Sequence, residues 1–201
     1  MSKAATSDVP SISKTRLIRM LLGGPKGIVK FNALREQYPK WSPDLREADF
    51  VQADLSGVNL SSADLQRANL SDANLSDANL AGADFSDANL YKAKLSDACL
   101  AGAVFINAEL SSAELSGADM SGANMFEARF VGAVLVHVNL SGANLAWAVF
   151  ANANLHCANL QGAQTQAVNW WCADIYGAKG LRRTTVELVL ATFRDSVEFA
   201  D

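Results

Sequence analysis

A large apolar residue recurs at every fifth position of this chain from Leu45 to Leu160, without a slip in register. It is always Leu, Phe or Met, and from residue 48 onward Ala lies two positions before nearly every one, with Val58 and Val138 as the departures. The residue between the two is mostly polar and often Asp or Asn. The repeating unit is therefore A-(D/N)-L-x-x.

A period of five excludes the two common regular structures over this region. An α-helix would spread these side chains around its whole surface, and a long strand would place alternate ones on opposite faces. The spacing fits a chain that turns a corner every five residues, with one large side chain always directed inward. The Ala two positions earlier is also expected to point inward, and the polar residue between them outward.

A second period gives the size of one coil. Five glycines are spaced twenty residues apart, at Gly82, Gly102, Gly122, Gly142 and Gly162. Twenty residues per coil means four corners per coil, and stacked coils should lie about 4.8 Å apart, so the repeat makes about seven coils. The glycine column predicts type II turns, whose third residue needs a positive φ.

The pattern A-(D/N)-L-x-x resembles that of the pentapeptide-repeat family, and the resemblance covers about two thirds of the chain. It implies an all-β solenoid, a right-handed quadrilateral β-helix, here with short α-helical caps expected at both ends. The segment before the repeat is similar to the leader helix of many bacterial members, because Phe31, Asn32, Arg35 and Pro39 match its pattern before the sequence Pro-Asp-Leu at 43–45. The resemblance implies that this helix covers the first coil.

The chain is thus divided into four segments. Residues 1–26 are expected to be a flexible or partly helical leader. The run from Gly23 to Gly27, at its boundary with the next segment, lacks the spacing of a phosphate loop and is interpreted as a linker. Residues 27–42 are the N-terminal capping helix, 43–178 the β-helix, and 179–201 a C-terminal capping or dimerisation helix.

The C-terminal helix is predicted from Val186 to Val197, with Thr184 or Thr185 as its N-cap. Its apolar side chains fall on one face, at Val186, Val189, Leu190 and Phe193. The helix resembles one that some family members use to form dimers, which suggests a homodimer through the C-terminal region. Covering the last coil is the alternative.

The outward positions of the later coils turn apolar and are predicted to form one contiguous patch. Its members are Ile106, Phe126, Val131, Trp147, Val149 and Trp171. Exposed patches of this kind usually mark interaction sites, so we expect an unidentified protein partner or a second copy to bind there. The alternative is that the terminal helices cover the patch.

Charge divides the chain unevenly. Residues 1–42 hold eight bases and two acids, about +6, whereas residues 43–178 hold fifteen acids and five bases, about −10. A candidate acidic surface comprises Asp64, Asp77, Asp84, Asp87 and Asp97. Some members of the family act as DNA mimics on gyrase, and this is the alternative function, although the coil carries only about half the charge of duplex DNA of its length.

No arrangement typical of an active site is visible, so the chain is expected not to be an enzyme and to need no cofactor. His137 and Cys157 should be stacked neighbours, but zinc normally needs three or four ligands, and no metal site is expected. The cations of the leader are dispersed, so neither nucleic-acid binding nor membrane contact is expected. The odd number of cysteines and the lack of a recognisable secretory signal favour the cytoplasm.

Overall fold

The repeat region forms a four-sided coil. The computed structural model describes residues 10–198, with the side chains of residues 10–191. Parallel bridges join each outward position to the one twenty residues later, from Asp44↔Asp64 to Asn159↔Lys179, and form four ladders along the coil. Within the described residues each side contributes single bridged residues rather than longer strands, because the chain turns a corner after every bridge.

The corners repeat one turn geometry. The N–H of Ala48, for example, donates to the carbonyl oxygen of Leu45 at 3.1 Å, and the same bond recurs along the coil. Every fifth residue from Glu47 to Gly177 has a positive φ between 53° and 73°. The turn predicted from the glycine column therefore occurs on all four sides, mostly with residues other than glycine. Each such residue costs roughly 1–2 kcal/mol, which the packed core and the ladders must offset.

The outward Asp or Asn stabilises the corner that follows it. At Asn139 the side-chain Oδ1 accepts the N–H of Ser141 at 3.2 Å, and equivalent bonds form at most Asp and Asn ladder positions. The amide of Asn159 also donates to Asn139 Oδ1 at 3.1 Å along the ladder. Local bonding of this kind is what Asx side chains offer in turns, and it explains the Asp/Asn preference in the repeat.

The axis of the coil is a continuous apolar core. The inward Leu, Phe and Met residues from Leu45 to Leu160 are fully buried, as sequence predicts. The rings of Phe130 and Phe150 stack with centroids 4.7 Å apart, and Trp170 extends this stack at 5.2 Å from Phe150. Stacking at this distance adds to the apolar area that the core removes from water.

Two helices precede the coil, α1 (Lys14–Leu21) and α2 (Gly24–Gln37). α2 begins three residues before the predicted start at residue 27, because Pro25 fits the first turn of a helix. The interpretation of Gly23 to Gly27 as a linker is wrong, since Gly24–Gly27 lie in α2. Gly27 is required where the two helices meet: a Cβ there would lie 1.9 Å from the carbonyl oxygen of Met20.

α2 closes the first coil through polar side chains. Asn32 donates to the carbonyl oxygen of Gly57 at 3.0 Å and accepts the N–H of Asn59 at 2.8 Å. Arg35 is buried and donates to the carbonyl oxygens of Ser61, at 2.7 Å, and Trp41. These bonds occupy backbone groups on the open end of the coil, which would otherwise remain an unprotected edge.

At the other end lies α3 (Arg183–Glu198). It begins before the predicted N-caps Thr184 and Thr185, because the carbonyl of Arg182 already accepts the N–H of Val186 at 3.1 Å. Val189 is fully buried and Val186 half-buried, whereas Leu190 is exposed. Phe193 lies in α3, but its side chain is outside the described ones.

Candidate interaction surface

The structure brings the six predicted apolar residues to one side of the coil. This side carries the ladder Glu109, Arg129, Val149 and Asn169. Its two corners hold the other members, with Ile106, Phe126 and Trp147 on one corner and Val131 and Trp171 on the other. We call these six residues the apolar side.

Exposure differs within the apolar side. Trp147 and Trp171 are 60% and 52% exposed, whereas Ile106, Phe126, Val131 and Val149 are half-buried between neighbouring coils. The described parts of the terminal helices therefore do not cover the two tryptophans. α3 instead forms one wall of a surface depression near the last coil, where Val186 and Leu190 lie across from residues 174–178 and Leu181.

Val149 departs from the chemistry of its own ladder position. At most such positions an Asp or Asn accepts the N–H two residues later, as Asn169 does for Trp171 at 3.0 Å. A valine has no acceptor for the N–H of Ala151. Other departures are Arg129, on the same ladder, and Val104 and Val134, on two other sides of the coil. Departures from such a local rule are expected at functional or strained sites.

Trp147 is a second residue that does not suit its position in the repeat. Its φ is 64°, and an indole is poorly suited to this left-handed region, in which Asn, Asp and Gly are favoured. Glu127 and Ala167 occupy the same corner in the adjacent coils, so the fold does not require an aromatic side chain at this position. The indole is 60% exposed, so most of its surface is available to a partner.

The predicted acidic residues lie in two environments. Asp77, Asp87 and Asp97 are exposed corner residues, each with a φ of 58°. Asp64 and Asp84 are half-buried neighbours on one ladder. The five do not form one uninterrupted surface, because they are distributed over different sides and corners.

Basic and polar side chains moderate this acidity. Arg46 contacts Asp64 at 3.5 Å and Asp44 at 2.8 Å, and its hydrogen bond holds the pKa of Asp44 well below the usual range. Burial raises the pKa of Asp84, but hydrogen bonds from Ser86 and Gln66 outweigh it, and the pKa lies below its ordinary value. These carboxylates therefore already make hydrogen bonds and ion pairs on the outer surface of the coil.

The histidines and cysteines do not assemble a metal centre in the part of the chain that the structure describes. There, no three His, Cys, Asp or Glu side chains come close enough to hold an ion. His156 packs instead against Tyr176, with ring centroids 5.1 Å apart. Among the described helices none is long and apolar enough to cross a bilayer.

Stacked four-sided coils around an apolar axis define a solenoid repeat protein. The family model "Pentapeptide repeats" matches eight copies, at residues 44–77, 68–105, 88–125 and 128–163. These segments cover more than half of the chain, which therefore belongs to the pentapeptide-repeat family, whose fold is the right-handed quadrilateral β-helix. Members of the family are generally structural or interaction proteins rather than enzymes. No protein of curated function matches the sequence.

Solved structures of the family are similar to this chain. HetL, from the cyanobacterium Nostoc sp. strain PCC 7120, is involved in the regulation of heterocyst differentiation; it is 30% identical, with a TM-score of 0.58 over 73% of this chain and 77% of HetL. The Nostoc protein alr5209 is 39% identical over 49% of this chain and 78% of its own, with a TM-score of 0.43. The fluoroquinolone resistance protein QnrB1 is 18% identical over 77% of this chain and 92% of its own, with a TM-score of 0.38.

Proposed function

We propose that this protein is a non-enzymatic interaction scaffold whose apolar side binds a protein partner. The observation that carries the proposal is Val149, which replaces a corner-stabilising Asp or Asn between two exposed tryptophans. Tryptophan is enriched among the residues that dominate binding energy at protein interfaces. The proposed compartment is the cytoplasm.

The rigidity of the coil supports this role. Every side chain along the axis from Leu45 to Leu160 is buried, and backbone bonds join each coil to the next. A surface held in this way loses little conformational freedom on binding, which favours affinity. The involvement of HetL in regulation is consistent with an interaction rather than a chemical step.

Self-association through the C-terminal region is a second route to an interface. Leu188 and Leu190 of α3 are 60% and 51% exposed. Leu190 borders the depression at the last coil, and a second copy would remove both leucines from water. We propose this contact as an addition to the apolar side, on which it does not depend.

DNA mimicry on gyrase receives less support. The acidic residues are divided among different sides and corners, and Asp64 and Asp84 are half-buried. Arg46 reduces the negative charge near Asp64. A gyrase supercoiling assay with the purified protein tests this alternative, which predicts inhibition below micromolar concentrations.

The scaffold proposal is tested by charge introduced into the apolar side. Trp147→Asp should abolish capture of the partners that the intact protein retains in an affinity pull-down. Tyr91→Asp is the matched control, because Tyr91 is 40% exposed in the same corner column as Val131 and Trp171 but lies in an earlier coil. If both variants retain the same proteins and the same mass in solution, the apolar side is not an interface.

A further inference from the structure

The helices α1 and α2 form a hairpin that covers the first coil. This role does not account for the residues on the outer surface of the hairpin. Its inner side chains, among them Leu17, Leu21 and Phe31, are buried. Its outer side carries four exposed cations, Arg16, Arg19, Lys26 and Lys30.

The fold gathers these four cations, although they are spread over the sequence. Arg16 of α1 and Lys30 of α2 line one shallow surface depression, together with Met20 and Leu34. The close approach of Gly27 to Met20 brings the remaining part of α2, with Lys26, beside the end of α1, which holds Arg19. Residues from both helices therefore contribute to one positively charged surface.

Acids of the coil lie at the edges of this surface, Asp44 beside Lys14 and Asp54 beside Val29, but no described ion pair neutralises its four cations. None of the ion pairs among the described residues involves Arg16, Arg19, Lys26 or Lys30, whereas Lys14 pairs with Asp44 of the coil. The only acid in the sequence between residues 10 and 42 is Glu36. The positive charge is thus available to an anionic partner.

Apolar side chains stand among these cations. Val29 of α2, three residues after Lys26, is 70% exposed and stands at the edge of a depression that it shares with Asp54 and Ser56 of the coil. Leu22, at the tip of the hairpin, is 52% exposed. Exposed aliphatic residues flanked by lysine and arginine are typical of helices that lie in the interface of a membrane. The phosphates of a nucleic acid would pair with the cations but would make no favourable contact with Val29 and Leu22.

We propose that the N-terminal hairpin binds the surface of a membrane that contains anionic lipids. Leu22 and Val29 enter the headgroup region, and Arg16, Arg19, Lys26 and Lys30 contact the anionic headgroups. The acidic coil, about −10 over residues 43–178, is repelled by the same surface, so the rod stands away from the membrane on its N-terminal end.

This proposal revises the sequence-based expectation of no membrane contact, which treated the cations as dispersed. It is independent of the proposed scaffold function, because it involves the opposite end of the rod from the apolar side. Together the two would present the apolar side at a distance from the membrane.

The test is co-sedimentation of the full chain with vesicles of phosphatidylcholine, with and without phosphatidylserine. Binding should require phosphatidylserine and weaken as NaCl rises. Reversing two charges in the variant Lys26→Glu/Lys30→Glu should lower the partition coefficient at least about 25-fold, since each cation contributes about fivefold. Val29→Ser should lower it while leaving the charge unchanged.

The matched control is Lys92→Glu/Lys94→Glu, which changes the charge equally at two exposed lysines of the coil and should bind as the intact protein does. Circular dichroism confirms that each variant is folded. Equal binding of both double variants, or no binding to phosphatidylserine vesicles, would overturn the proposal. Tighter binding to a DNA duplex at the same salt concentration would assign the surface to nucleic acid instead.

Discussion

The backbone of Gly27 in α2 packs directly against the carbonyl group of Met20 in α1. A Cβ at position 27 would lie 1.9 Å from the carbonyl oxygen of Met20 and 3.1 Å from its carbonyl carbon. Both are backbone atoms, which cannot move aside without moving α1 as a whole. This contact fixes how the two helices of the cap lie on each other.

Gly27→Ala should therefore destabilise the cap. Helix propensity alone would raise the stability by up to about 1 kcal/mol, but the clash is expected to lower the free energy of unfolding by about 1–3 kcal/mol. Urea denaturation followed by circular dichroism measures the difference. Ala33→Gly, on the exposed side of α2, gives the propensity effect by itself, and a stabilised Gly27→Ala protein would show that the helices can separate freely.

A second prediction concerns the ring stack in the later coils. Phe150 lies between Phe130 and Trp170, at 4.7 and 5.2 Å, and is fully buried. Phe150→Ala should cost about 3–5 kcal/mol, since it leaves a cavity beneath two rings. Phe150→Leu should cost far less, because leucine fills most inward positions of this coil. Denaturant unfolding compares the two, and equal losses would mean that ring stacking matters more than volume.

The core could be predicted from the sequence because a period of five directs one large apolar side chain of every repeat toward the axis of the coil. The period fixed the coil, its four ladders and the position of every residue on a side or a corner. It could not predict α1 or the first turn of α2. Those depend on single contacts, such as Gly27 against Met20, which leave no period in the sequence.

The register of the sequence predicts that the six residues of the apolar side lie on one side of the coil, but it does not give their exposure. The register placed Trp147 and Trp171 at neighbouring corners, whereas their exposure required coordinates. The significance of Val149 appears only when Asn139 and its equivalents are seen to bond the following corner. Once that bond is known, the valines at ladder positions, Val104 and Val134 included, are a signal that can be found in the sequence.

A third prediction is the acid sensitivity of the early coils. The carboxylate of Asp84 accepts hydrogen bonds from Ser86 Oγ and Gln66 Nε2, each at 2.6 Å, and its pKa is lowered on folding despite partial burial. A carboxyl whose pKa is lower in the folded state stabilises the protein above the unfolded-state pKa of about 4 and loses this contribution as pH falls through its folded-state value.

The melting temperature should accordingly fall as the solution is acidified below about pH 4, and Asp84→Asn should reduce this dependence. Differential scanning calorimetry at a series of pH values measures it. Asp87→Asn removes a carboxylate from an exposed corner and controls for the loss of one charge. If Asp84→Asn melts with the same pH dependence as the intact protein, the hydrogen bonds to Asp84 do not contribute to its acid sensitivity.

The last prediction separates folding from binding at one position. In Val149→Asn the new Oδ1 can accept the N–H of Ala151, as Asn169 accepts that of Trp171 in the next coil. A hydrogen bond of this kind contributes about 0.5–1.5 kcal/mol, so the variant should unfold at higher denaturant concentration than the intact protein.

The same change places a polar amide between Trp147 and Trp171, and partner capture should fall. The reciprocal variant, Asn139→Val, lies on another side and should capture partners normally. It should lose more stability than Val149→Asn gains, because Asn139 also bonds Asp119 and Asn159 along the ladder. A stabilised Val149→Asn protein that still binds would remove Val149 from the interface. A destabilised one would show that the valine is kept for packing, and the reason for proposing this side of the coil as the interface would be lost.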